Sequence, residues 1–195
     1  METIMFGGSF DPVHLGHVSM VSFLLKQKND GRVLVVPAAC SPFKTDKKLC
    51  DGKHRLEMCR IAFEGLNNVE ISDVEFHLPT PSFTVNTLEA LKKRYNGQKL
   101  GLLLGGDSVM SLCKWKDSGE IIKTAKIYAA VREDAGRGQI EAELSRLCAD
   151  YTVISMNETD VSSTVIRERL KNKQSCKGLL PEGVERYIIE NRLYG

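Results

Sequence analysis

Apolar positions along this chain fall into two alternating patterns. Short β-branched or leucine-rich runs, TIMF (3–6), RVLVVP (32–37), VEISDVEF (69–76), KLGLLLG (99–105), KIYAAV (126–131) and YTVIS (151–155), predict strands. The stretches between them carry apolar residues at helical spacing and predict helices near 16–28, 53–65, 84–95, 107–113, 117–124 and 139–148. Strand–helix alternation of this kind builds a parallel sheet with helices on both faces, and the unbroken apolar character of 32–36 and 102–104 suits strands buried on both sides. Two more helical patterns, 163–172 and 181–191, close the chain, the second with Pro181 at its start, where a missing N–H costs nothing. The expectation is one α/β domain over 1–195, a doubly wound parallel sheet of Rossmann-like form, with 160–195 as a small helical C-terminal cap. The basic stretch CSPFKTDKKLCDGK (40–53), which carries both Pro and Gly, reads as a mobile segment.

Composition narrows the partners. The 195 residues are 42% hydrophobic and 27% charged, ordinary for one globular domain. Lys and Arg number 27 against 25 Asp and Glu, so a net charge of +2 exerts no global pull on nucleic acid or membranes, and any anion binding is local. Six cysteines form no CxxC pair, which argues against a zinc knuckle and for reduced thiols; Cys59 and Cys113 fall within apolar patterns and read as small core residues. METIMFGG has no signal-peptide character, and no uncharged run approaches the ~18 residues of a membrane span. A soluble, cytoplasmic protein is expected.

The first strand runs directly into GGSFDPVHLGH (7–17). In parallel α/β sheets, ligands gather beyond the carboxyl ends of strands near the reversal of strand order, and the first strand usually borders that point. Gly7 and Gly8 allow close backbone approach, Pro12 stiffens the loop, and Gly16 leaves room for a planar group at the helix start. A helix N-terminus offers unpaired N–H donors and partial positive charge, so His14 and His17 would add hydrogen-bond donors around a polyphosphate. The loop lacks GxGxxG and GxxxxGK[ST], which argues against a dehydrogenase and a Walker NTPase. Two other readings stay open for the histidines: a metal pair completed by Asp11, or a structural pair.

GSFDPVHLGH resembles the signature of the nucleotidylyltransferase superfamily, whose second half is HxGH, and the chain as a whole is similar to bacterial nicotinate-nucleotide adenylyltransferases. The resemblance implies ATP contacts from Gly8, Ser9, Phe10, His14, Gly16, His17, Gly105, Asp107, Ser163, Thr164 and Arg167. It implies mononucleotide contacts from Lys44, Thr84, Thr87, Asp107, Trp115 and Arg132, with His14, His17, Lys44 and Arg167 catalytic. Each has a plainer alternative. Lys44 stands among Lys47, Lys48 and Lys53 and could be a solvated lysine; Thr84, Thr87 and Asp107 could cap helices; Trp115 could pack in the core. The family pattern has Asp where this chain has Asn86, and Pro-Gly after the arginine matching Arg132, where this chain has neither. SSTVIR (162–167) matches the family's phosphate-holding motif, with Val165, Ile166 and Leu170 as the helix's apolar face; alone, it would equally suit a capped surface helix.

The implied reaction joins ATP and nicotinate mononucleotide by direct in-line attack, giving nicotinate adenine dinucleotide and pyrophosphate in NAD biosynthesis. Mg²⁺ is expected mainly on the ATP phosphates, with no dedicated protein ligands. Rival readings are a pantetheine-phosphate or cytidylyl transferase, a nucleotide-binding regulator without catalysis, and an RNA-binding module. Against these stand His14 at the first motif position, the retained His17 and Arg167, and the neutral charge balance, respectively. Oligomeric state and the preference for nicotinate over nicotinamide are not legible.

Overall fold

The computed structural model describes residues 1–28, 30–40, 49–132, 136–156 and 161–195, apart from the side chain of Arg132. Six strands form one sheet: β1 (Glu2–Gly8), β2 (Gly31–Pro37), β3 (Val69–Ile71), β4 (Leu100–Gly105), β5 (Ala125–Arg132) and β6 (Tyr151–Met156). Their order is β3-β2-β1-β4-β5-β6 and every pairing among them is parallel. Strand order reverses between β1 and β4, so the loop after β1 sits at the switch point.

Among the described residues, eight α-helices connect and flank the strands: α1 (Leu15–Gln27), α2 (Gly52–Phe63), α3 (Thr84–Arg94), α4 (Gly106–Ser111), α5 (Ser118–Thr124), α6 (Arg137–Arg146), α7 (Ser163–Lys171) and α8 (Glu182–Glu190). Alternate strand positions feed two cores. Ile4, Phe6, Val33 and Val35 face the cluster under α1, α2, α7 and α8; Met5, Leu34, Val36, Leu102 and Leu104 face the one under α3 to α6. This is the period-two consequence of helices covering both faces.

Several elements depart from expectation for local reasons. The strand expected over 69–76 stops at Ile71, where the Ser72 hydroxyl accepts the Val74 N–H at 3.3 Å and starts a 3-10 turn over Val74–His77. Glu75 is thereby turned inward, where its carboxylate accepts the Thr87 hydroxyl at 2.8 Å. Cys59 and Cys176 are core residues, but Cys113 is exposed, because the 3-10 turn Leu112–Lys114 buries Leu112 and turns its neighbour outward. Val165 is 46% exposed, leaving Ile166 as the fully buried anchor of α7. Pro181 caps α8 rather than occupying its first turn.

The C-terminal segment is built into the first core rather than appended to it. Ile166, Cys176, Leu180, Val184 and Ile188 join the cluster that contains Ile4 and Phe6. Tyr187 and His54 hydrogen-bond at 2.8 Å, the Leu15 N–H donates to the Leu179 carbonyl at 3.0 Å, and the Tyr194 hydroxyl donates to buried Asp11 at 2.6 Å. Burial and the Asp11 carboxylate together hold the Tyr194 phenol far above its ordinary pKa. Tyr194→Phe leaves Asp11 short of a donor, so denaturant titration should show a loss of about 1.5–3 kcal/mol, the usual worth of a hydrogen bond to a charged group. Lys123→Ala, which removes an exposed pair with Glu120 that solvent screens, should leave the denaturation midpoint unchanged.

Candidate active site

The loop after β1 is shaped by packing before any ligand is considered. Phe10 takes a left-handed backbone (φ 46°) that drives its ring into the core, edge-on to Phe6 at 5.3 Å and to His17 at 5.0 Å between centroids. A Cβ on Gly8 would meet that ring at 2.9 Å, so glycine is required there by the loop's own aromatic residue. At Gly16 a Cβ would stand 3.1 Å from the His14 ring. The planar group for which Gly16 leaves room is therefore the imidazole of His14.

His14 is the N-cap of α1, in extended conformation, and its ring stacks on that of His17 with centroids 3.7 Å apart and planes 27° apart. The His14 backbone N–H donates to His17 Nδ1 at 3.2 Å, so His17 occupies the place that Glu or Gln fills in a capping box. With Nδ1 accepting, a neutral His17 carries its proton on Nε2. Burial pushes the His14 pKa down from 6.5 to about 4. Burial thus resolves the conflict with the helix dipole at His14, whose ring stays neutral, while His17 meets the helix N-terminus as an acceptor through Nδ1. His14 Nδ1 is buried and, among the described residues, has no hydrogen-bond partner, which leaves it available to a ligand or solvent atom.

The late motif meets this loop. Ser162 caps α7 by accepting the Val165 N–H at 3.3 Å, and the Ser163 hydroxyl donates to the Pro12 carbonyl at 2.9 Å. Arg167 Nη1 donates to the Asp11 carbonyl at 2.6 Å and Nη2 to Thr164 Oγ1 at 3.2 Å, with the Asp11 carboxylate 3.9 Å away. A guanidinium 156 positions distant in sequence is thereby fixed on the loop that carries both histidines, with a quarter of its side chain still exposed. Asp11, the candidate third metal ligand, is instead committed to Tyr194 and to the Cys50 N–H at 3.3 Å. Among the described residues, no three His, Cys, Asp or Glu side chains form a metal-holding group.

Across the switch point, Gly105 is the N-cap of α4 and Asp107 lies exposed in its first turn, so Asp107 is not the cap. Thr84 opens α3 and is half-buried, and the preceding Phe83 is the N-cap, without a side-chain bond. Thr87 is 1% exposed and its hydroxyl is spent on Glu75, so it is not presented to a ligand. Trp115 is half-buried and, like Phe83, packs against the second core; the Lys116 ammonium lies 4.6 Å over the Phe83 ring. Lys44, like most of the segment read as mobile, and the Arg132 side chain lie outside the described residues.

Sequence reasoning missed two organising side chains. Arg55 is 2% exposed, and Tyr194 is the penultimate residue. Arg55 heads the stripe Arg55, Met58, Cys59, Ala62 on the buried face of α2, and a charge at the first position of an apolar stripe was the available signal.

Comparison with known proteins agrees with this geometry. Residues 5–169 match the cytidylyltransferase-like family model. Over 198 residues, all of this chain and 92% of the relative, it is 36% identical to a probable nicotinate-nucleotide adenylyltransferase of Gemmatimonas aurantiaca. It is 33% identical to the nicotinate-nucleotide adenylyltransferase of Bacillus subtilis, covering 97% of this chain and 96% of that one. The chain belongs to the nicotinate-nucleotide adenylyltransferase family. The fold is shared with the Plasmodium falciparum nicotinic acid mononucleotide adenylyltransferase complexed with NaAD, at TM-score 0.82 and 22% identity over 100% of this chain and 98% of that one. Members of this family are nucleotidyltransferases, and this chain is one of them.

The lowered pKa of His14 has a thermodynamic consequence. The unfolded chain takes up a proton near pH 6.5 and the folded chain only near pH 4, so stability is full above pH 6.5 and falls as the pH drops through that window. At pH 5 the loss attributable to His14 should be roughly 1–2 kcal/mol. Denaturant titrations at pH 7.5 and 5 should show a smaller pH effect for His14→Gln than for the natural protein. Equal effects would mean that His14 protonates freely in the fold.

Proposed function

We propose that this protein transfers the AMP moiety of ATP to nicotinate mononucleotide, releasing pyrophosphate, as a step of NAD biosynthesis. The observation that carries the reading is the convergence of His14, His17 and Arg167 on the one loop at the switch point. A 5′-phosphate oxygen of the mononucleotide attacks Pα of ATP, the Pα–O–Pβ bond breaks, and the electron pair leaves with pyrophosphate. Such a transfer needs positioning and charge neutralisation and no protein nucleophile.

His17 Nε2–H donates to an ATP phosphate oxygen, and the imidazole of His14 supplies a second contact from its buried ring. Arg167, held at a fixed angle by Asp11 and Thr164, faces the β/γ or departing pyrophosphate oxygens with the rest of its donors. The backbone of Gly8, Ser9, Phe10 and Gly16 lines the phosphates, with Ser163 and Thr164 at the start of α7; Gly105 and Asp107 lie toward the ribose. Lys44 holds the attacking phosphate. The mononucleotide lies along Thr84, with Trp115 against its pyridine ring, and the buried Thr87 supports that helix start through Glu75 rather than touching the ligand. Mg²⁺ would arrive with ATP, held by phosphate oxygens and water and neutralising their charge, since the described residues offer it no cage of their own. The Lys116 ammonium beside Phe83 favours a pyridine carboxylate over a carboxamide. Among the described residues no helix is long and apolar enough to cross a membrane, and the substrates are soluble, so a cytoplasmic location fits the reading.

Pyrophosphate release from ATP, assayed with nicotinate, nicotinamide and pantetheine-type phosphates in turn, tests the reading directly. Nicotinate mononucleotide should give a kcat/KM at least ~10-fold above the amide, and His17→Ala should lower kcat by ~10²-fold or more, as loss of a transition-state donor does. Equal use of a pantetheine phosphate would replace the assignment with a sister activity. Nicotinate mononucleotide should also quench the fluorescence of Trp115, the one tryptophan in the chain; an unchanged spectrum would place the ring purely in the core.

A further inference from the structure

The strongest unassigned feature is the buried cation of α2. Arg55 Nη1 donates to the Ser9 carbonyl at 2.9 Å and to the Ala38 carbonyl at 2.6 Å, and Nε donates to the Cys50 carbonyl at 2.9 Å. Nη2 lies 3.5 Å from the Ala39 carbonyl, and the guanidinium stands 5.7 Å over the Phe76 ring. Every hydrogen bond of this guanidinium among the described residues therefore goes to a backbone carbonyl. Desolvating a charge costs several kcal/mol, and a side chain kept for stability alone is usually replaceable by an apolar one. The placement suggests why the charge is there. Ser9 belongs to the loop that carries His14 and His17, whereas Ala38 and Ala39 follow β2 on the neighbouring strand. One planar fork grips the carboxyl ends of two adjacent strands at the edge where the phosphates gather. Cys50 extends the grip, because its N–H is held by Asp11 while its carbonyl is held by Arg55.

We propose that Arg55 is a positioning residue: it sets the separation of the β1 and β2 loops, and hence the placement of the His14–His17 pair against the attacking mononucleotide phosphate. This rests on the adenylyl-transfer reading above. A lysine there keeps the stem and the charge but not the fork, and cannot reach carbonyls on three segments at once.

The test uses the full chain. Arg55→Lys, which retains the buried charge, is the variant expected to fold, and Arg55→Met removes the charge. The folded fraction of each is fixed by denaturant titration, and pyrophosphate release is expressed per folded molecule. Arg55→Lys should lose at least ~10-fold in kcat, with KM for ATP and for nicotinate mononucleotide changing less than ~3-fold, because misplacement by a fraction of an ångström acts mainly on the reacting geometry. Arg55→Met should be at least as impaired. If Arg55→Lys has natural kcat per folded molecule, the charge suffices and the positioning role is overturned. If both variants merely fold less, with unchanged turnover of the folded fraction, the role is structural and the proposal likewise fails. A natural protein that releases no pyrophosphate with any co-substrate would overturn the adenylyl-transfer reading instead, a result separable from both.

Discussion

The buried carboxylate of Asp11 is the tie on which the site depends. It is 4% exposed, and a charge so placed must be satisfied on every side. The Tyr194 hydroxyl and the Cys50 N–H reach one carboxylate oxygen, while the Arg167 guanidinium lies near the other and bonds the same residue's carbonyl. Three distant parts of the chain, the start of α2, helix α7 and the C-terminal end, are therefore bound to one residue of the first loop. Removing any of these partners leaves Asp11 under-satisfied, and the cost is felt where the histidines stand. Through Cys50 the tie extends to Arg55 and the ends of β1 and β2, so the loop is fixed from below as well as from the cap.

This arrangement also explains why histidines can stand at a helix N-terminus. A cationic imidazole there would oppose the helix dipole. Burial keeps His14 neutral, and His17 accepts the N-cap N–H through Nδ1, fixing its tautomer as a capping-box glutamate would fix its own geometry but without adding negative charge. The pair is a donor array whose positive field comes from the backbone. A polyanion can then be received without a large standing charge that would itself need neutralising in the empty site, and the positive side chain of the constellation, Arg167, is delivered from outside the helix.

Much of this was legible in sequence. The buried strands and their alternation with helices followed from apolar periodicity, because fully covered parallel strands leave a strong signal; the position of the first loop at the reversal of strand order followed from the general rule for parallel α/β sheets. The pairing of GSFDPVHLGH with SSTVIR was legible as resemblance, and the structure joins them by contact at Asp11 and Pro12. Three features were not visible, each for a definite reason. The early end of β3 hangs on one Ser72 hydroxyl, which periodicity does not weigh. The exposure of Cys113 and Val165 depends on where a short turn or a terminal helix faces. Tyr194 acts through a partner 183 positions away and Arg55 through carbonyls on three segments, up to 46 positions away; a charge heading an apolar stripe marks Arg55 as unusual, but local pattern does not show which groups either side chain bonds.

Hydroxyls and glycines inside the motifs show how such a loop divides its labour. Gly8 is demanded by the ring of Phe10, Gly16 fits closely against that of His14, the Ser163 hydroxyl holds the Pro12 carbonyl, and Thr87 holds Glu75. Motif residues that a sequence reading assigns to the substrate are thus partly spent on shaping the surface that meets it. That allocation follows from the chemistry: adenylyl transfer without a protein nucleophile gains its rate from placement, so rigidity of the loop is itself a catalytic resource. A group that touches phosphate can supply one hydrogen bond, whereas a group that fixes the loop sets the angle of all of them. Ser163, Asp11 and Arg55 belong to that second kind: their contacts are with the protein's own carbonyls and side chains, and through them they fix the loop.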